Sequence, residues 1–298
     1  MKKFLSPQPI SFTFQIINQP LKFIINMNKT TISVAIATFN EENNIKRCLD
    51  SVNSWVDEIV IADGNSSDNT TEIASKYNNV KIIKTVNKPL FHINKNIAID
   101  SCKSQWILQL DADEVVSPKL ANEIQNILSK SPDEIIENGF WIKRQNFFLG
   151  TFLKKGGQYP DPTLRLYKNG KGKLPCIDVH EQAKIESPVG ILKNDLLHYA
   201  DPTFSRYLLR HNRYTTLLAK KYQEEKLPLN FINFLNYFCL KPKIWFLSTY
   251  LRHRGYVDGF PGFVFSLFSA LRFPISYIKY WELQKSHRSI NLSQDWDK

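Results

Sequence analysis

From about residue 31, apolar runs alternate with stretches of helical periodicity. Ile32–Ala37 (ISVAIA) is a mostly apolar run rich in β-branched residues, the pattern of a strand buried on both faces of a parallel sheet. Asn40 follows as the expected N-cap, with Glu41 and Glu42 suited to a first helical turn. Ile45, Leu49 and Val52 then recur at helical spacing. Glu58–Ala62, Val80–Lys84 and Trp106–Leu110 read as further strands. Thr70–Tyr77, Ile93–Cys102 and Pro118–Leu128 read as helices, the last with proline in its first turn. This alternation predicts an α/β fold with a doubly wound sheet, in which the ligand lies beyond the carboxyl ends of the strands. Polar clusters fall at those ends: Thr38–Glu41, Asp63–Asp68 and Asp111–Glu114.

The pattern changes after Gly139. Short strands (Phe140–Lys143, Leu164–Tyr167, Gln182–Ile185) are separated by Gly/Pro turns, as in a mixed extension that completes a site. The chain then reads as helical from Thr203 to Tyr222. Beyond Leu227-Pro228 come the aromatic-rich runs Phe231–Leu240, Ile244–Leu251 and Phe260–Leu271. The expected divisions are an N-terminal extension (1–30), poorly ordered, an α/β domain (31–201) and a basic helical region (202–298). Residues 1–26 lack the unbroken apolar segment of roughly 7–15 residues that a secretory signal needs, and Met27 is an alternative start.

Charge sharpens this division. The 298 residues hold 39 Lys+Arg and 28 Asp+Glu, a net +11. Residues 202–298 carry 15 Lys+Arg and 6 Asp+Glu, so +9 sits there and 11 − 9 = +2 in the rest. An apolar content of 43% excludes global disorder, and 11 Gly with 15 Pro exclude a collagen-like chain. The four Cys form no C-x-x-C pair and read as reduced thiols. A basic aromatic region suits nucleic acid or a membrane surface. Its aromatics lie inside Phe/Leu/Ile runs rather than on a sparse stacking surface, which argues against nucleic acid. Amphipathic helices on the anionic cytoplasmic leaflet are expected instead. Arg252, Arg254, Arg272 and Pro/Gly pairs interrupt every run that could approach the ~18–20 residues of a membrane span.

Asp111-Ala112-Asp113 is the most informative triplet. Residues i and i+2 of a strand share a face, so both carboxylates can address one site, and a divalent cation relieves their repulsion. Glu114 adds negative charge. Asp63 could hydrogen-bond a base or ribose; Asp68 could do likewise, or cap the helix that starts at Thr70.

Together, Ile36–Glu41, Asp63–Thr70 and Leu110–Glu114 resemble the nucleotide-sugar glycosyltransferases of family 2, which have the GT-A fold. The resemblance implies that Thr38, Asn40 and Glu41 contact the nucleotide, that Asp63 binds the uracil or ribose, and that Asp111 and Asp113 serve the ribose and a Mg2+ or Mn2+ ion on the diphosphate. Tyr159-Pro160-Asp161, Leu164–Tyr167, Val179-His180-Glu181, Leu197-His198-Tyr199 and Gly255–Phe263 look like the branch acting on lipopolysaccharide cores. The implied activity is inverting transfer of a hexose, UDP-linked by expectation, to a lipopolysaccharide-type or lipid-linked acceptor by a cytoplasmic, membrane-peripheral enzyme.

Inversion needs a base for the acceptor hydroxyl and charge stabilisation at the departing diphosphate. The Glu-Asp pair that often supplies this base is missing downstream of Asp113. Glu181 is the replacement candidate, oriented by His180. His198 is a candidate to complete the metal site. Arg165 is a candidate clamp on the diphosphate or an anionic acceptor, and Lys95 a weaker one. Three rivals fit less well. A D-x-D-x-T phosphatase would have Thr where Val115 stands. A nucleotidyltransferase would have a Gly-rich basic loop after the first strand. A non-catalytic membrane-associated binding protein would have no use for Asp111 and Asp113.

Overall fold

A computed structural model describes residues 30–88, 90–176 and 182–286. The N-terminal extension, apart from Thr30, and the candidates His180 and Glu181 lie outside them. Strands β1 (Ile32–Thr38), β2 (Glu58–Asp63), β3 (Val80–Lys84) and β4 (Trp106–Asp111) pair in parallel in the order β3-β2-β1-β4. The crossovers carry helices α1 (Ile45–Asp50), α2 (Thr70–Ala74) and α3 (His92–Asp100). After β4 come β5 (Glu114–Val116) and α4 (Pro118–Leu128); Ser117 caps α4 by accepting from the Leu120 amide at 3.2 Å.

The sheet continues through β8 (Asp161–Lys168), β6 (Gly139–Phe148), β11 (Val189–Asp201) and β5. β8 is antiparallel to β4 and β6, β11 is parallel to β6, and β5 closes the edge antiparallel to β11. β7 (Thr151–Phe152) pairs with β6, and β9 (Gly172–Lys173) with β10 (Lys184–Ile185) in a separate ribbon. This is a mixed, Rossmann-like sheet with its crossover helices on both faces.

Two cores flank the sheet. Ile36, Leu108 and Leu110 pack under Ile45, Leu49, Leu120 and Ile124 on one face, while Ala35, Val60 and Ile107 pack against Ala98 and Ile99 on the other. Burial on both faces explains why β1, β2 and β4 are continuous apolar runs. Asn40 is not a helix cap. It sits at φ +54°, and α1 begins at Ile45.

Helices α5 (Phe204–Glu224), α6 (Phe231–Leu235), α7 (Lys241–Leu247) and α8 (Gly259–Ser286) follow the sheet. Single π turns at Asn236–Leu240 and Ser248–Arg252 join α6 to α7 and extend α7. Gly259 adopts φ +60° and ψ −136°, a region essentially confined to glycine, where the chain enters α8. A Cβ at Gly262 would fall on the Gly255 carbonyl. Gly255 and Gly262 are therefore required by a close backbone crossing, and Gly259 by its conformation.

α8 corrects one expectation. Pro274 lies inside a continuous helix, and Gly255–Lys285 is long and apolar enough by composition to cross a membrane. The helix is nevertheless pinned to α5. Lys279 Nζ donates to the Asn212 carbonyl at 2.6 Å and to the Thr216 hydroxyl at 2.7 Å, and Tyr277 and Tyr280 are buried.

Candidate active site

The carboxyl ends of β1 and β4 open into a cleft of about 640 Å³. Thr38, Asn40 and Glu41 line it from the loop after β1, Asn94 and Lys95 from α3, Asp111 and Asp113 from β4 and its turn, and His198 from β11. Of the expected site residues, the structure brings Thr38, Asn40, Glu41, Asp111, Asp113 and His198 together here.

The loop after β1 is held by the turn after β2. The Asn40 amide donates to Ser66 Oγ at 2.9 Å, and Asn40 Oδ1 accepts from the Ser67 amide at 2.8 Å. The Glu41 amide donates to Thr70 Oγ1 at 2.7 Å. Asp63 is 2% exposed and does not line the cleft. Its carboxylate accepts from Thr38 Oγ1 at 3.0 Å, the Ser66 amide at 2.9 Å and Ser66 Oγ at 2.6 Å. The expected direct contact of Asp63 with a base or ribose is thus replaced by fixing of the loop that faces the cleft. Asp68 is a clasp as well, accepting from the amides of Thr70 and Glu42, both at 3.0 Å.

The two carboxylates of the Asp-x-Asp triplet have different surroundings. Asp111 contacts the Lys95 ammonium and accepts from Arg165 Nη2 at 2.6 Å. Burial alone would raise its pKa; the Arg165 and Lys95 charges outweigh that and hold the carboxyl well below its ordinary value. The cations that relieve Asp111 therefore belong to the protein. Arg165 is buried, does not line the cleft, and also binds Glu114 at 2.7 Å, so the diphosphate-clamp assignment is corrected. Glu114 is fully buried, accepts from Arg144 Nη1 at 3.2 Å, and receives the Asp111 amide at 2.9 Å. It forms part of the foundation and adds no open charge to the cleft.

Asp113 faces a different partner. His198 Nε2 lies 3.4 Å from Asp113 Oδ2, while His198 Nδ1 is 2.6 Å from Asn146 Oδ1. A proton on Nδ1 shared with Asn146 turns Nε2 to the Asp113 side, where a protonated Nε2 donates to the carboxylate and an unprotonated one can ligate a metal. Burial raises the Asp113 pKa, and His198 more than compensates, keeping it below the usual range. Glu41 shifts the other way: burial first and the Asp113 charge second push it up to about 7.

Sequence reasoning missed Arg206 and Arg213 of α5, which also line the cleft. Their seven-residue spacing marks one helix face, but only the packing of α5 brings that face to the strand ends. It underrated Lys95, which is 7% exposed and reaches the cleft floor.

A polar cleft beyond the carboxyl ends of the parallel strands is where sheets of this kind bind their ligands. Residues 33–180 match the sequence profile of glycosyl transferase family 2. Lipopolysaccharide core biosynthesis glycosyltransferase LpsC of Rhizobium meliloti (strain 1021) is 28% identical over 82% of this chain and 89% of its own length. An uncharacterized glycosyltransferase of Rickettsia typhi, RT0209, is 26% identical over 89% of this chain and 91% of its own. Among solved structures, S. aureus TarS 1-349 in complex with UDP-GlcNAc overlays with a TM-score of 0.45 and 14% identity, covering 87% of this chain and 91% of that one. The chain belongs to glycosyltransferase family 2 and is a glycosyltransferase. The nucleotidyltransferase, phosphatase and non-catalytic readings fall away.

Proposed function

We propose that this glycosyltransferase transfers a hexose, with inversion, from a UDP-linked sugar to a lipopolysaccharide-type or lipid-linked acceptor at the cytoplasmic face of the membrane. The observation that carries the reading is the Asp113–His198 pair in the same cleft as the Thr38–Glu41 loop. The similarity to LpsC over most of both chains supports an envelope acceptor.

The nucleotide would lie against Thr38, Asn40 and Glu41, with Asp63 and Asp68 fixing their loop. Among the described residues, no cluster of three or more His, Cys, Asp or Glu is poised to hold a metal. Asp113 and His198 offer one oxygen and one nitrogen donor and would hold a Mg2+ or Mn2+ ion together with the donor's diphosphate. Such an ion supplies charge neutralisation to the leaving diphosphate. Lys95 and the α5 arginines add positive charge to the cleft without a metal. The acceptor oxygen bonds to the anomeric carbon as the bond from that carbon to the diphosphate oxygen breaks. The hydroxyl proton passes to a carboxylate, for which Glu181, beside His180, is the sequence-based choice.

The test is Asp113→Asn with a panel of UDP, GDP and CMP sugars and Mg2+ or Mn2+, reading thermal stabilisation and slow donor hydrolysis. A UDP-sugar should stabilise and turn over in the parent chain. The variant should lose roughly 100–1000-fold in turnover while remaining folded. No response to any donor, or an unaffected variant, would overturn the reading.

A further inference from the structure

Between Glu225 and Asp258 the chain has no acidic residue, and the segment from α6 to the start of α8 presents large apolar side chains to solvent. Phe231 is 71% exposed, Ile232 76%, Ile244 65% and Phe260 73%. Leu235, Leu240, Leu247 and Leu251 are exposed as well. Along the helices this stripe runs 232, 235, 240, 244, 247, 251. The one long step, from 235 to 240, spans the first π turn, whose i→i+5 geometry returns the side chain to the same face. A regular α-helix would have rotated the later residues away from it.

The opposite side is fixed to the protein. Tyr237 and Thr249 are buried, Tyr237 stacks on Tyr277 at 5.3 Å, and Trp245 Nε1 donates to Ser269 Oγ at 3.2 Å. The Lys154 and Lys155 amides donate to the Asp258 carboxylate at 3.0 and 2.8 Å, tying this region to the β7 turn. Exposed Lys243, Arg252 and Arg254 flank or interrupt the stripe. An apolar stripe whose only Lys, Arg, Asp or Glu residues between Glu225 and Asp258 are cations, on a face tied to the catalytic domain, complements an anionic bilayer interface. There apolar side chains enter the acyl boundary and cations meet the headgroups.

We propose that residues 231–260 form the surface by which the enzyme lies on an anionic lipid bilayer, α6 and α7 in the interface plane and α8 retained in the protein. The choice of lipid as occupant rests on the reading of a lipid-borne acceptor as well as on the charge. The Lys279 contacts and the buried Tyr277 and Tyr280 account for α8 remaining packed on α5 rather than crossing the membrane.

The test floats the full chain with vesicles of phosphatidylcholine containing about 30 mol% phosphatidylglycerol, and with phosphatidylcholine alone. Binding should be at least about tenfold stronger to the anionic vesicles, and an alkaline carbonate wash should strip it. The double variant Ile232→Glu/Ile244→Glu should lose about tenfold or more in bound fraction while keeping its melting temperature and donor hydrolysis. Equal flotation of that variant would overturn the proposal. So would carbonate-resistant protein, which would mean that α8 spans, or a lipid-free dimer abolished by the double variant, which would mean that a second copy covers the stripe. Asp113→Asn should still float. Lost hydrolysis with intact flotation of the parent chain would condemn the donor reading alone, and the reverse would condemn this surface alone.

Discussion

Arg165, on β8, and Lys243, on α7, carry the same charge in opposite settings. Arg165 is buried, and its guanidinium meets Asp111 at 2.6 Å and Glu114 at 2.7 Å. Lys243 is exposed among exposed apolar side chains, in a stretch without carboxylates. Burial alone would lower the Arg165 pKa, and Asp111 and Glu114 outweigh it, so the pair-bonded charge is held on the protein at any ordinary pH. In the sheet, positive charge is paired internally with two carboxylates beneath a cleft. In the helices, it is left unspent on the surface, available to a partner. Net charge alone hides this difference.

The largest expected effect breaks the internal side. Arg165→Met leaves Glu114 and Asp111 short of compensation in a dry site, and should destabilise by about 3–5 kcal/mol in urea unfolding. A loss under about 1 kcal/mol would mean that Arg144 and Lys95 suffice alone. Glu41 gives the next effect. Its folded pKa, about 7, lies above its ordinary 4.5, so between those values the folded state holds more protons than the unfolded one. Stability should therefore fall as pH rises from about 4.5 to 7, by up to about 3 kcal/mol, in protein stripped of divalent ions with EDTA. Glu41→Gln should flatten that slope, and an unchanged slope would assign the dependence elsewhere. The smallest effect belongs to the exposed side: Lys243→Met should shift unfolding by less than about 0.5 kcal/mol. A larger loss would place Lys243 among internally committed charges and weaken the contrast.

The parallel half of the sheet was legible because β1, β2 and β4 are buried on both faces, and such strands are apolar at most positions, Ser33 and Gln109 being buried exceptions. Loops at their carboxyl ends could then be assigned to a site before any geometry was known. The remaining strands were less readable. β6 and β11 have mixed burial and polar residues along their length, and the order β8-β6-β11-β5 depends on long-range pairing. Asn40 misled because a polar residue before a periodic run looks like a cap. Here it takes a left-handed backbone conformation and joins two loops.

Sequence by itself determined the family, the parallel Rossmann-like core, the carboxyl-end location of the cleft and the segregation of charge. Each follows from local residue type and spacing, which act over a few neighbours. Tertiary structure alone decided how the acidic cluster divides. Asp111 and Glu114 are neutralised by Arg165, Arg144 and Lys95, three cations from distant segments, while Asp113 is left to His198. It also brought Arg206 and Arg213 to the cleft and aligned the exposed stripe across a π turn. The physical reason is the same in each case. A charge or an apolar side chain acquires its role from what it is buried against, and burial partners are set by packing between elements far apart in the chain.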